Sequence, residues 1–326
     1  MEEELFSRKE SVKDIFNIIE AKLKQGLFTE SMEDFDRIMS KDFECANLYE
    51  NISCVKFWIN RLDKFKSAER NTIEYCRLLD SSYKKFSIFV RGKSYDENLL
   101  SINAIHYYVY NKIIELIMQR STNDIEGTEE LHLLSNAFIE LKDYSRALKS
   151  YEYLNMVEPY NSKTLSYIAM IYDKLGDEKK CKMYIREALF YDPLSIEFEN
   201  INLEIVREIR DIIIQRGVHN NSQEEIILWM SAYGELMNIL DVKRPLSEQE
   251  EFELRRSISR LEADYRKIKL RETTAPKLLS SYAFLTTYLI MRQNDSDVDE
   301  VKVWGRKMAV IDKDLLQYYI KILDKE

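Results

Sequence analysis

The sequence predicts an all-α protein, and three observations carry that prediction. Apolar residues recur at spacings of three and four almost throughout, as in Leu131, Leu134, Phe138 and Leu141, or Ile226, Trp229, Met230, Tyr233, Leu236 and Met237, which is the period of a helix with one buried face. No long alternating run competes with it as a strand would. Only 7 Gly and 4 Pro stand among 326 residues, so the punctuation that bounds many short strands is missing. Hydrophobic residues at 45% and charged residues at 32% give enough apolar material for a large core beneath a solvated surface.

The elements follow in chain order. Residues 15–43 read as a degenerate helix pair, with Gly26 at the turn and Phe35 and Ile38 in the second helix. A break at residues 92–95 interrupts the helices that follow. Residues 121–128, STNDIEGT, form the most linker-like stretch and separate an amino-terminal helical region, 1–120, from a central one, 121–195. Thr128 ahead of Glu129 and Glu130 marks the next helix start, and Ser247 with Glu250 three residues on spells a capping box before Phe252. Further breaks are expected at 217–222, 243–246, 272–276 and 294–297. Longer helices at 196–216, 222–241 and 247–270 open a carboxy-terminal region, 196–326, in which residues 278–312 suggest another degenerate pair. The whole amounts to about fourteen helices joined mostly by short turns.

One pattern is written twice. Residues 143–159, DYSRALKSYEYLNMVEP, and 177–193, DEKKCKMYIREALFYDP, lie 34 positions apart and share an opening Asp and a closing acidic-Pro pair. Extended backwards, the register holds: Leu131 matches Leu165, Leu134 Ile168, Phe138 Tyr172, Ala147 Cys181, Tyr151 Ile185 and Leu154 Ala188. A helix pair of this size cannot bury its apolar stripe alone, and small residues such as Ala147, Cys181 and Ala188 let neighbouring backbones approach. Pro159 and Pro193 end each unit by withholding the next hydrogen-bond donor.

In these residues the chain resembles the tetratricopeptide repeat family, whose 34-residue unit is an antiparallel helix pair. The second unit keeps that pattern at Ala169, Tyr172, Gly176, Asp177, Ala188 and Pro193. The first departs from it at Ser135, Lys142 and Leu154, which implies wider helix packing there. The resemblance implies a superhelical array of antiparallel helix pairs, an α-solenoid, with irregular flanking helices. It also implies a concave groove, built from first helices, that binds an extended or helical peptide. The matched outward positions are His132, Asn136, Ile139 and Glu140 in the first unit and Ser166, Tyr167, Met170, Asp173 and Lys174 in the second. Asn136 stands where the family places an amide able both to donate to and accept from a ligand backbone. His132 replaces the Lys with which carboxylate-gripping members hold a chain terminus.

Little in the sequence suggests reaction chemistry. His106, His132 and His219 share no motif, and no phosphate-binding glycine loop, zinc-protease, serine-hydrolase or calcium-loop spacing occurs. Acidic pairs such as Glu129 and Glu130 are what 57 acids on solvated helix faces produce. Cys45, Cys54, Cys76 and Cys181 lack metal-ligand spacing and read as small core residues in a reducing compartment. A net charge of -9 argues against a nucleic-acid partner. The charged opening MEEELFSRKE and the absence of ~18 uninterrupted apolar residues argue against secretion and membrane insertion. The expectation is a cytoplasmic, non-catalytic adaptor for a protein or peptide partner, without cofactor or metal. A regulator that changes shape on binding a peptide, and an all-α enzyme without a recognisable motif, are the alternatives.

Overall fold

The computed structural model describes residues 11–68, 71–120, 127–217, 222–242, 244–292 and 297–323. The described residues are helical with no strand, and their contacts divide the chain into two compact units, residues 1–150 and 151–326. The expected breaks at 121–126, 218–221 and 294–296, with His219, lie outside the described residues.

In the first unit, α1 (Val12–Lys24) and α2 (Phe28–Lys41) form the helix pair read from the sequence. Ser11 and Asp14 close a capping box at its start, and Gly26 turns the chain at φ +78°. Then come α3 (Leu48–Ile59), α4 (Leu62–Ala68), α5 (Thr72–Gly92), α6 (Leu100–Met118), α7 (Thr128–Glu140) and the start of α8 (Tyr144–Val157). The long apolar α6 packs against α1, α3, α5 and α7. Trp58 anchors the core, with the rings of Phe28, Phe65 and Phe86 at 5.8, 5.6 and 5.9 Å. A buried polar link ties α3 to α6, where the Asn51 side chain accepts from the Ser101 amide at 3.0 Å and hydroxyl at 2.6 Å.

The second unit holds the end of α8, then α9 (Ser162–Lys174) and α10 (Glu178–Tyr191), a 3-10 turn at Pro193–Ser195, α11 (Glu204–Arg216) and α12 (Gln223–Leu236). It continues through α13 (Glu248–Tyr265), a second 3-10 turn at Ile268–Leu270, α14 (Arg271–Arg292), α15 (Asp297–Ile311) and α16 (Lys313–Leu323). The centre is α14, buried along most of its length and packed against α10, α12, α13 and α15. Beside it Arg186 of α10 and Glu235 of α12 form a fully buried ion pair, with the guanidinium 3.8 Å from the Phe284 ring centroid. The capping box of Ser247 and Glu250 opens α13 as its spelling requires.

The doubled pattern has a doubled local structure. Lys142 and Gly176, in matching register, both take left-handed backbone at φ +60° and +79°. The Asp143 amide donates to the Phe138 carbonyl at 2.8 Å, and that of Asp177 to Tyr172 at 2.9 Å. Each Asp then accepts from the backbone three residues on, Arg146 at 3.1 Å and Lys180 at 3.0 Å. Ala147, Tyr151, Leu154, Cys181, Ile185 and Ala188 are buried.

Two expectations are corrected. Residues 272–276 are no break, because α14 runs through Pro276. Pro276 forgoes the one bond its amide would give the Glu272 carbonyl, and burial of Ala275, Pro276, Leu278 and Leu279 carries the helix through. Nor is 196–203 helical. Ile196, Ile201 and Leu203 are buried in irregular backbone, while Glu197 is drawn to α9 by Lys163 at 2.6 Å and the Tyr167 hydroxyl at 2.9 Å.

Candidate functional site

The residues nominated from the sequence fall in both units. In the first, His132, Asn136 and Ile139 are half-buried on α7 and Glu140 is exposed, accepting a hydrogen bond from His106 Nε2 of α6 at 3.0 Å. In the second, Ser166, Tyr167 and Met170 are buried. Ser166 donates to the Lys163 carbonyl at 2.7 Å, and the Tyr167 ring stacks on Tyr151 with centroids 5.2 Å apart. Asp173 and Lys174 are exposed and bond each other at 3.1 Å.

A better-formed site lies elsewhere in the second unit. A cleft of about 550 Å³ opens between the end of α10, the start of α13 and the middle of α14. Its walls carry Tyr160, Phe190, Tyr191, Leu246, Leu254 and Phe284, and its α13 rim carries Ser247, Gln249, Glu253 and Ser257. Phe190 and Phe284 pack with centroids 4.4 Å apart, and Tyr160 lies 4.6 Å from Tyr191. Tyr160 has left-handed backbone at φ +66°, uncommon for a bulky residue, which turns the chain after α8 and brings its ring to the cleft. Tyr160 and Glu250 also line an adjoining cavity of about 310 Å³, with Glu187 and Arg244 on its wall.

The charges around the cleft are organised unequally. Arg244 bonds Glu187 and grips both oxygens of Glu250, at 2.6 and 3.1 Å. Glu250 also accepts from the Ser247 amide at 2.8 Å. The Arg244 bond, reinforced by Ser247, pulls the Glu250 carboxyl down to about 2. Burial works against the Arg244 charge, but its two acids outweigh that and hold it above its ordinary range. Burial raises the Tyr191 hydroxyl, with Glu187 adding to the effect. On α14 the Lys277 ammonium donates to the Phe190 carbonyl and, at 3.4 Å, to that of Tyr191, and it lies 3.9 Å from the Phe190 ring centroid. Desolvation lowers Lys277 to about 8, with Asp192 partly opposing the shift.

Apolar side chains are also exposed on α8, which leads into Tyr160. Tyr153, Met156 and Val157 of α8 are exposed at 54%, 78% and 50%, on the three-and-four spacing that aligns side chains along one helix face, and Tyr160, beyond the end of the helix, is exposed at 47%. The sequence held partial signals of the site. The aromatic pair Phe190 and Tyr191 ends the second repeat where the first has Met156 and Val157, and Glu250 belongs to the capping box. Lys277 had no signal, lying beside a Pro that reads as a break.

Among the described residues no helix is long and apolar enough to cross a membrane. Comparison of the chain with protein-family models, with curated proteins and with solved structures returns no match.

Proposed function

We propose that the chain is a non-catalytic interaction module, an adaptor of tetratricopeptide-like helix pairs, and that the aromatic cleft of residues 151–326 binds a peptide segment of a partner protein. The observation that carries this reading is the cleft itself. It is concave, about 550 Å³, and walled by aromatic and aliphatic side chains with hydroxyls, an amide and a carboxylate at the rim. That combination of apolar anchor and sparse polar orientation is what peptide and small-ligand sites share. The exposed apolar side chains of Tyr153, Met156 and Val157 on α8 support a contact larger than one side chain, since covering apolar surface stabilises by ~25 cal/mol per Å².

The test is panning a displayed library of random dodecapeptides on the full chain, followed by titration of labelled binders. Replacing Phe190 or Phe284 with Ala is expected to weaken binding at least about tenfold, in line with the loss of an aromatic anchor. Tyr160→Ala, at a half-exposed position, weakens binding without loss of helicity. Absence of binders, or binders indifferent to all three changes, contradicts the reading.

A further inference from the structure

The charge left unmatched at the cleft narrows the class of partner. Arg244 is neutralised by Glu187 and Glu250, and Arg186 by Glu235. Lys277 differs. Its ammonium contacts are the Phe190 and Tyr191 carbonyls and the Phe190 ring, and among the described residues no carboxylate reaches it at ion-pair distance. The carbonyls at the end of α10 favour a cation through their dipoles but leave its net charge uncancelled. The acids on α10, α12 and α13 nearest the cleft are these. From α10 and its end come Glu187, committed to Arg244, and Asp192, the acid whose field reaches the amine. From α12 comes Glu235, committed to Arg186. From α13 come Glu250, committed to Arg244, and Glu253, exposed at the outer rim and 3.9 Å from the Arg256 guanidinium. A cation in these apolar surroundings gains more from a carboxylate than one in water, because the effective dielectric is lower and the bond is charge-assisted.

Resting on the binding reading above, we propose that Lys277 receives a carboxylate from the partner. The cleft then takes a segment in which an Asp or Glu side chain stands beside an aromatic or aliphatic residue. The apolar side chain packs in the cleft against the Phe190–Phe284 pair and Leu254 while the neighbouring acid meets the ammonium. Glu253 at the rim opposes this attraction and limits it to segments whose acid enters past the mouth.

The experiment uses the full chain and the panned dodecapeptides, each synthesised in its acidic form and with the acid replaced by the matching amide. On the wild-type chain the swap to amide is expected to weaken binding about tenfold, the size of one charge-assisted hydrogen bond. On Lys277→Met the acidic and amide forms bind alike, Lys277→Arg keeps the preference, and Glu253→Gln tightens the acidic form. If the swap has no effect on the wild-type chain while Phe284→Ala or Tyr160→Ala still weakens binding, the Lys277 assignment is overturned and the cleft stands. If no peptide depends on Tyr160, Phe190 or Phe284, both fall together.

Discussion

Lys277 and Glu250 border one cleft, and their surroundings push their acidities in the direction each environment dictates. Lys277, lowered to about 8 by desolvation, binds its proton less tightly in the folded chain than in the unfolded one. The unfolded state therefore holds more protons between about pH 8 and the ordinary lysine value, and stability from this group rises with pH across that window. Chemical denaturation of the wild-type chain against Lys277→Met, from pH 7 to pH 10.5, is expected to show the gap moving in favour of wild type as pH rises. Glu250, lowered to about 2 by Arg244, has the same sign of dependence in an acidic window. Its contribution is full above the ordinary carboxylate range and is lost as pH falls through that range towards 2. Glu250→Gln is expected to destabilise by about 1–2 kcal/mol at pH 7, a figure discounted for its partial exposure. The difference narrows as pH falls from the ordinary carboxylate range towards 2. Of these two residues the sequence marked Glu250, through its spacing from Ser247, whereas an isolated lysine carries no sign of the ring and carbonyls it will meet.

Between elements, the turns and buried pairs decide stability. Gly26 and Gly176 share a left-handed backbone, at φ +78° and +79°, but a methyl at Gly26 would stand 2.4 Å from the Tyr108 ring while one at Gly176 meets nothing within 4 Å. Gly176→Ala is expected to lower stability by about 1 kcal/mol, and Gly26→Ala by about 2–4 kcal/mol, the excess measuring the forced shift of Tyr108. Thermal denaturation of the two variants makes the comparison. At the buried pair, Glu235→Ala strands the Arg186 charge and is expected to be destabilising by about 3–5 kcal/mol, whereas Arg186→Met with Glu235→Leu recovers most of that loss. Much at this scale was legible because the signals are local: the Gly26 turn, the capping box before α13 and the repeated Asp-capped second helices. Pro276 and residues 196–203 were misread for the converse reason. Burial carries α14 through the first, and contacts from Lys163 and Tyr167 hold the second in irregular backbone, so tertiary structure overrides the local pattern.

For the whole molecule, the helical period and the scarcity of breakers announced the all-α class, and the duplicated 34-residue pattern announced where one local structure would recur. The candidate cleft was not legible at that level. Tyr160, Phe190, Glu250 and Lys277 come from four separated segments, and only the packing of α10, α13 and α14 brings them together. The repeat led instead to α7 and to α9, where Ser166, Tyr167 and Met170 are buried. Hydrogen exchange of the full chain, with and without a dodecapeptide selected by panning, tests the assignment of the cleft most directly. Slowed exchange is expected around Phe190 and Tyr191, at the start of α13 and in α14 about Lys277. Protection confined to α7 and α9, or no protection at all, would contradict it.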